Sequence, residues 1–279
     1  MDSETFLNKI ITGKRVAIIG PADYVNKELD EKHGEYLNNN FDIVIRLNNM
    51  IDIIDKDLEK YYGSKFDVLF SSFWYTNFTI NSMKNKVKNT AIPRYLFKDT
   101  YEKLKDKTIL YECNNRNLFN NIYDMYKDTI DKKNIYYMNS SRETYMKALQ
   151  FLNNIENISA TPSTGTLAIA LVLMNNPRKL YVSGITCYLD EKYNGYFDGY
   201  TRTIDNIGIS NDETLDLDDE RTDGMKYKNK DQFNGKTYNY DHPATKDHSF
   251  KAEQKILKYL VTNKLIKVDK YLKVLVKSV

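Results

Sequence analysis

Short apolar runs recur along the first two thirds of the chain, at Val16–Gly20, Ile43–Leu47, Phe66–Phe70, Thr108–Tyr111, Ile135–Met138 and Leu180–Ser183. They are rich in β-branched and aromatic residues, which predicts strands buried on both faces of a mostly parallel sheet. Helical spacing fills the intervals at Asn117–Lys127 and at Arg142–Asn153, where Tyr145, Ala148, Leu149 and Leu152 fall three to four residues apart. Thr166 to Met174 is an apolar run that predicts a buried helix, and Phe250, Ile256, Leu257, Leu260 and Val261 mark the stripe of a last one. Strand alternating with helix predicts an α/β, doubly wound fold. No internal repeat is visible.

Residues 188–247 interrupt this rhythm. Tyrosine and glycine crowd Tyr188 to Tyr200, acidic residues dominate Asp205 to Glu220, and Lys226 to Lys236 is basic, with little apolar periodicity throughout. So long a stretch without a core signal reads as an active-site lid or a disordered insertion. Its position, after the strand at Leu180–Ser183 and before the last helix, favours a lid within one domain spanning residues 1–279.

With 279 residues the chain is long enough to bury a full core. The 41 basic residues are balanced by 38 acidic ones, for a net charge of +3, so bulk electrostatics give little drive toward nucleic acid or anionic membrane. Cys113 and Cys187 are too few for a disulfide framework and lack zinc-site spacing. Met1 to Lys14 is too short and too polar for a signal peptide or a membrane anchor. The expectation is a cytoplasmic protein with no integral membrane segment, or a catalytic domain without its anchor.

Pro162-Ser163-Thr164-Gly165 stands immediately before the apolar helix. Ser163 and Thr164 are residue types that cap a helix and leave a hydroxyl for an anion, and Gly165 admits a ligand close to the backbone, so the loop is expected to hold a negative group. Arg46 and Asn48 end the second predicted strand at its carboxyl edge, where ligands bind in open parallel sheets. Of the three histidines, His242 and His248 lie just before the last helix, whereas His33, among Asp30, Glu31 and Lys32, reads as a surface residue. Asp42 is expected to fix local structure, and Glu253 to orient its helix or a neighbouring loop. Asp216-Leu217-Asp218-Asp219 has the form of a metal-binding Asp-x-Asp element, but an acidic loop produces such triplets by chance.

Three of these blocks, in order, resemble the motifs of the eukaryotic-type sialyltransferase family. Arg15 to Gly20, Gly34 and Phe41 to Asn48 are similar to the large sialyl motif. Pro162 to Gly165 with the following helix and the strand ending at Gly184 resembles the small motif, and His248 with Glu253 the very short one. The match covers residues 14–67, 158–188 and 240–262. It departs from the vertebrate pattern in two places: Gly20-Pro21-Ala22 lacks the usual nucleotide-binding asparagine, and Arg15 and Asn175 or Asn176 stand where the family has paired cysteines. The chain is closer to the soluble bacterial or viral members.

The resemblance implies a Rossmann-like fold, a variant of the glycosyltransferase A type, and a metal-independent inverting transferase without a cofactor. The donor would be a CMP-activated acidic sugar and the acceptor a glycan or glycoconjugate. His248 would be the general base, because an acceptor hydroxyl must lose its proton to a group titrating near neutrality, and His242 would meet the departing phosphate. Gly20, Asn48, Ser163, Thr164, Gly165 and Gly184 would line the donor site. Tyr193 and Tyr196 would stack on the acceptor or else pack the loop against the sheet. Two rival readings are a metal-dependent transferase using Asp216 and Asp218, and a non-catalytic nucleotide- or glycan-binding protein.

Overall fold

The computed structural model describes residues 3–48, 50, 56–72, 91–92, 107–112, 135–138, 143–187, 189, 192–193, 202–203 and 249–278. Its strands are β1 (Arg15–Ile19), β2 (Ile43–Leu47), β3 (Val68–Ser72), β4 (Ala91–Ile92), β5 (Thr108–Glu112), β6 (Ile135–Met138), β7 (Lys179–Ser183), β8 (Arg202–Thr203) and β9 (Lys267–Val268). The helices are α1 (Ser3–Ile11), α2 (Tyr24–Glu28), α3 (His33–Asn40), α4 (Lys56–Tyr62), α5 (Glu143–Asn153), α6 (Thr164–Met174), α7 (Phe250–Thr262) and α8 (Lys270–Ser278).

Seven strands form one parallel sheet in the order β6-β5-β3-β2-β1-β7-β9, while β4 and β8 pair antiparallel on their own. The central strand β1 explains the arrangement, since Val16, Ala17, Ile18 and Ile19 are all fully buried and need cover on both faces. Helix α6 supplies part of that cover, lying against β1, β3, α1 and α5. Leu167 to Val172 are buried without a break, so no side of this helix faces solvent. The α/β parallel architecture expected from the apolar runs is therefore present, and the sheet proper is parallel throughout.

Side chains fix the amino edge of the sheet. Asp42 accepts from the Arg15 amide at 2.8 Å and pairs with its guanidinium at 2.7 Å, which ties β2 to β1. The guanidinium holds the Asp42 carboxyl well below the usual carboxylate range. Asp67 repeats the device one strand over, accepting from the Val44 amide at 2.8 Å. Where the family would carry its cysteine pair, hydrogen bonds join the two segments: Gly13 N–H to the Asn176 carbonyl at 3.0 Å and the Thr12 hydroxyl to the Asn175 carbonyl at 3.1 Å.

His33 corrects the surface expectation. It opens α3 on the same side as Leu37, and both are buried. Its Nδ1 lies 2.6 Å from the Tyr61 carbonyl, which only accepts, so Nδ1 carries the proton and Nε2 accepts from the Tyr181 hydroxyl at 3.0 Å. The neighbouring charges Asp30, Glu31 and Lys32 precede the helix and say nothing about its inward face.

Candidate active site at the point where strand order reverses

From β1 the chain steps outward through β2, β3, β5 and β6, then returns to place β7 on the other side of β1. In open parallel sheets ligands bind at the carboxyl edge of such a reversal, and here the loops leaving β1 and β7 come into contact. Gly20 and Gly184 face one another there. A Cβ on Gly20 would stand 2.2 Å from the Gly184 carbonyl oxygen, and one on Gly184 would stand 2.1 Å from that of Gly20. Gly184 also has φ +72°, a conformation that favours glycine. Its carbonyl accepts from the Ala22 amide at 3.2 Å, and its own amide donates to the Tyr24 hydroxyl at 2.7 Å.

That hydroxyl donates in turn to Asp269 at 2.6 Å, and the same carboxylate oxygen accepts from Ser183 at 2.8 Å. The other Asp269 oxygen accepts from the Leu272 amide at 2.8 Å, in the first turn of α8. Burial and the adjacent carboxylate raise the Tyr24 phenol well above its ordinary range, so it stays a donor.

The N-terminus of α6 packs beside the loop after β7. Ser163 caps it with extended backbone, and its Oγ accepts weakly from the Thr166 amide at 3.4 Å. The negative group found here belongs to the chain itself. Glu253, fully buried on α7, accepts from the Ser163 amide at 3.0 Å and takes short hydrogen bonds from the hydroxyls of Ser163 and Thr166. The Ser163 hydroxyl is therefore committed internally, contrary to the expectation that it stays free for an anion. Among the described residues, the amides of Thr164 and Gly165 and the Thr164 hydroxyl are the polar groups of this turn without a protein partner. Gly165 is buried and packs on Ile185, whose Cγ2 would lie 3.0 Å from an added Cβ.

Ser249, one residue past His248, accepts from the amides of Ser159 and Ala160 at 3.1 and 3.0 Å. Gln254 donates to the Cys187 carbonyl at 3.0 Å. The first turns of α7 thus grip both the loop before α6 and the loop after β7. Cys187 is buried beside Thr166, and burial pushes its thiol far above the ordinary range, which makes it unreactive at neutral pH.

Of the other expected site residues, Asn48 ends β2 with φ +49° and donates its amide to the Phe70 carbonyl at 2.9 Å. Arg46 is buried, and its guanidinium reaches the carbonyls of Tyr62, Gly63 and Lys65, where it satisfies the end of α4. Tyr193 donates its hydroxyl to Glu28 at 2.6 Å and sets its ring edge-on to Tyr271 at 5.8 Å, so it fastens this part of the chain to α2 and α8. The ammonium groups of Lys27 and Lys192 lie 5.3 and 4.5 Å from its ring centre. His242, His248, Tyr196, Asp216, Asp218, Cys113 and the helix expected at Asn117–Lys127 lie outside the described residues.

Sequence reasoning missed Tyr24 and Asp269. Asp269 had a signal, an acidic residue directly before an amphipathic segment, which is the pattern of a helix cap. Tyr24 had none, since its partner stands 245 residues away. Among the described residues no helix is long and apolar enough to cross a membrane, and no group of three or more His, Cys, Asp or Glu side chains converges to hold a metal ion. In comparison with known proteins, no family model matches this chain and no curated protein matches it.

Proposed function

We propose that the protein is a metal-independent, inverting glycosyltransferase resembling sialyltransferases, which moves an acidic keto-sugar from a CMP-sugar to a glycan hydroxyl. The observation that carries this reading is the Glu253 carboxylate at the start of α6. It couples the small-motif block at Ser163 to the block beginning at His248, two sequence features 90 residues apart that the resemblance had linked only by order. The β1–β7 reversal lies beside them, at the edge where ligands bind in open parallel sheets.

On this reading the CMP phosphate rests on the amides of Thr164 and Gly165, with the Thr164 hydroxyl beside them. Glu253 occupies the flanking donors and keeps the turn in shape. Asn48, at the end of β2, faces the nucleoside side. His248 removes the proton from the acceptor hydroxyl as that oxygen attacks the anomeric carbon, CMP departs from the opposite face, and the configuration inverts. His242 steadies the leaving phosphate. Helix-end amides and a histidine suit a monophosphate leaving group, whose charge is smaller than that of a diphosphate.

The test combines calorimetry with CMP in the presence of a chelator and a product assay over a panel of CMP-sugars with mixed glycan acceptors. CMP binding in chelator and transfer of an acidic sugar are expected. His248→Ala should keep CMP affinity within a few-fold and lower transfer by about 10²–10⁴. Binding that vanishes in chelator and returns with manganese would overturn the reading in favour of Asp216 and Asp218. Full transfer by His248→Ala would remove the base.

A further inference from the structure

We infer that the outward face of α8 is a docking surface for an anionic membrane, its lysines meeting the lipid headgroups and Val274 entering between them. The inference is independent of the donor reading.

The overall charge of +3 conceals an uneven distribution. Residues 249–279 hold eight of the 41 basic residues, all of them lysine, and two of the 38 acidic ones, so the rest of the chain carries more acid than base. Both of those acids, Glu253 and Asp269, are buried and committed to internal hydrogen bonds, whereas all eight lysines are exposed. Among the described residues Lys255 pairs with Glu156, while Lys270, Lys273 and Lys277 on α8 have no ion-pair partner. Glu28 on α2, whose carboxylate feels Lys270, is already taken by Lys192 at 2.8 Å.

Lys270, Lys273, Val274 and Lys277 fall at i, i+3, i+4 and i+7, which makes one stripe, away from the buried Leu272 and Val276. Val274 is 67 % exposed, and Tyr259 and Leu265 are exposed in the same segment, so three of the four exposed large apolar side chains among the described residues lie here. A helix with its main apolar face in the core and an exposed valine between lysines suits the membrane interface. The ammonium groups reach anionic headgroups, while the lysine stems and the valine lie against acyl carbons. Nucleic acid fits less well. Residues 249–279 contain no arginine, the side chain whose planar fork matches phosphate and base edges, and a phosphate backbone offers nothing to an exposed valine.

The experiment floats the full-length protein with vesicles of phosphatidylcholine alone and of phosphatidylcholine with about 30 % phosphatidylserine, at low and at physiological salt, and titrates it with fluorescently labelled RNA. Binding to the anionic vesicles alone, weakened by salt, is expected. Replacing Lys270, Lys273 and Lys277 together by Gln should weaken that binding by about 100-fold, and Val274→Ser by about fivefold. The same charge change at Lys9, Lys14 and Lys32, exposed elsewhere on the molecule, should alter it by about twofold at most. A wild type that ignores anionic vesicles overturns the inference, as does an equal loss in the Lys9, Lys14 and Lys32 variant, which would assign the effect to bulk charge. Tighter binding to RNA than to vesicles reassigns the face to nucleic acid and overturns it too. Exposed substitutions of this kind leave the fold in place. Should the triple α8 variant fail to fold, Val274→Ser decides alone, and unchanged vesicle binding by it refutes insertion.

Discussion

Two buried side chains carry most of the chemistry visible at the residue scale. Glu253 receives three hydrogen bonds from Ser163 and Thr166, so its truncation strands three donors at once. Glu253→Ala should destabilise by about 2–4 kcal/mol and Glu253→Gln by roughly half of that, read from urea unfolding. An alanine variant within about 0.5 kcal/mol of wild type would mean that solvent replaces the carboxylate. His33 gives a pH signature. Burial holds its folded pKa below the ordinary value, partly offset by the Tyr61 carbonyl and Asp269 and reinforced by Lys270, while Tyr36 and Tyr181 face the ring without charge. The unfolded chain then binds more protons below about pH 6.5, so His33 contributes stability that is present above that pH and lost as pH falls toward the folded value. Wild type should lose more stability than His33→Gln between pH 7.5 and 5.5, and parallel curves would refute the assignment. Glu253 was legible as an orienting group because the resemblance pointed to it. His33 was misread because charge in the preceding residues is a poor guide to which way the first turn of a helix faces.

At the scale of elements, periodicity was a sound guide wherever an element was long or fully buried. Ile43–Leu47 and Ile135–Met138 appear with the expected bounds, and Arg142–Asn153 begins one residue later as α5. The run at Phe66–Phe70 shifts to Val68–Ser72, because Phe66 packs in the turn before the strand and Asp67 uses its carboxylate on Val44. β9 escaped notice because two residues carry no period. The loop before α6 was legible as a helix start. Its occupancy by Glu253 was not, since a pattern of residue types cannot distinguish an internal anion from an external one. The close fit of Gly165 on Ile185 yields an element-level prediction. Gly165→Ala should cost about 1–3 kcal/mol of stability through crowding against Ile185, and combining it with Ile185→Ala, which removes the crowding γ carbons, should cost less than the sum of the two single changes. Additive costs in the double variant would show that the two residues do not meet.

At the scale of the whole molecule, the chain closes on its own beginning: the segment after Asn263 supplies the edge strand β9 beside β7, the carboxylate under Tyr24 and the cover of α8. Leu272 and Val276 are buried, and Asp269 satisfies Ser183 and Tyr24 inside the same core. Residues 264–278 therefore complete the parallel sheet instead of decorating it. Three buried aliphatic side chains, Ile266, Leu272 and Val276, contribute about 1.5–3 kcal/mol each, and the stranded hydroxyls of Ser183 and Tyr24 add about 1–3 kcal/mol of penalty. For a domain of this size each kcal/mol corresponds to about 2–4 °C of melting temperature. A chain ending at Asn263 should then melt about 10 °C or more below wild type, or lose its cooperative transition, by calorimetry without ligand. A truncated protein that melts within about 3 °C of wild type would show that β1 and β7 are complete without this segment, and would leave the buried Asp269 network without a part in holding the fold.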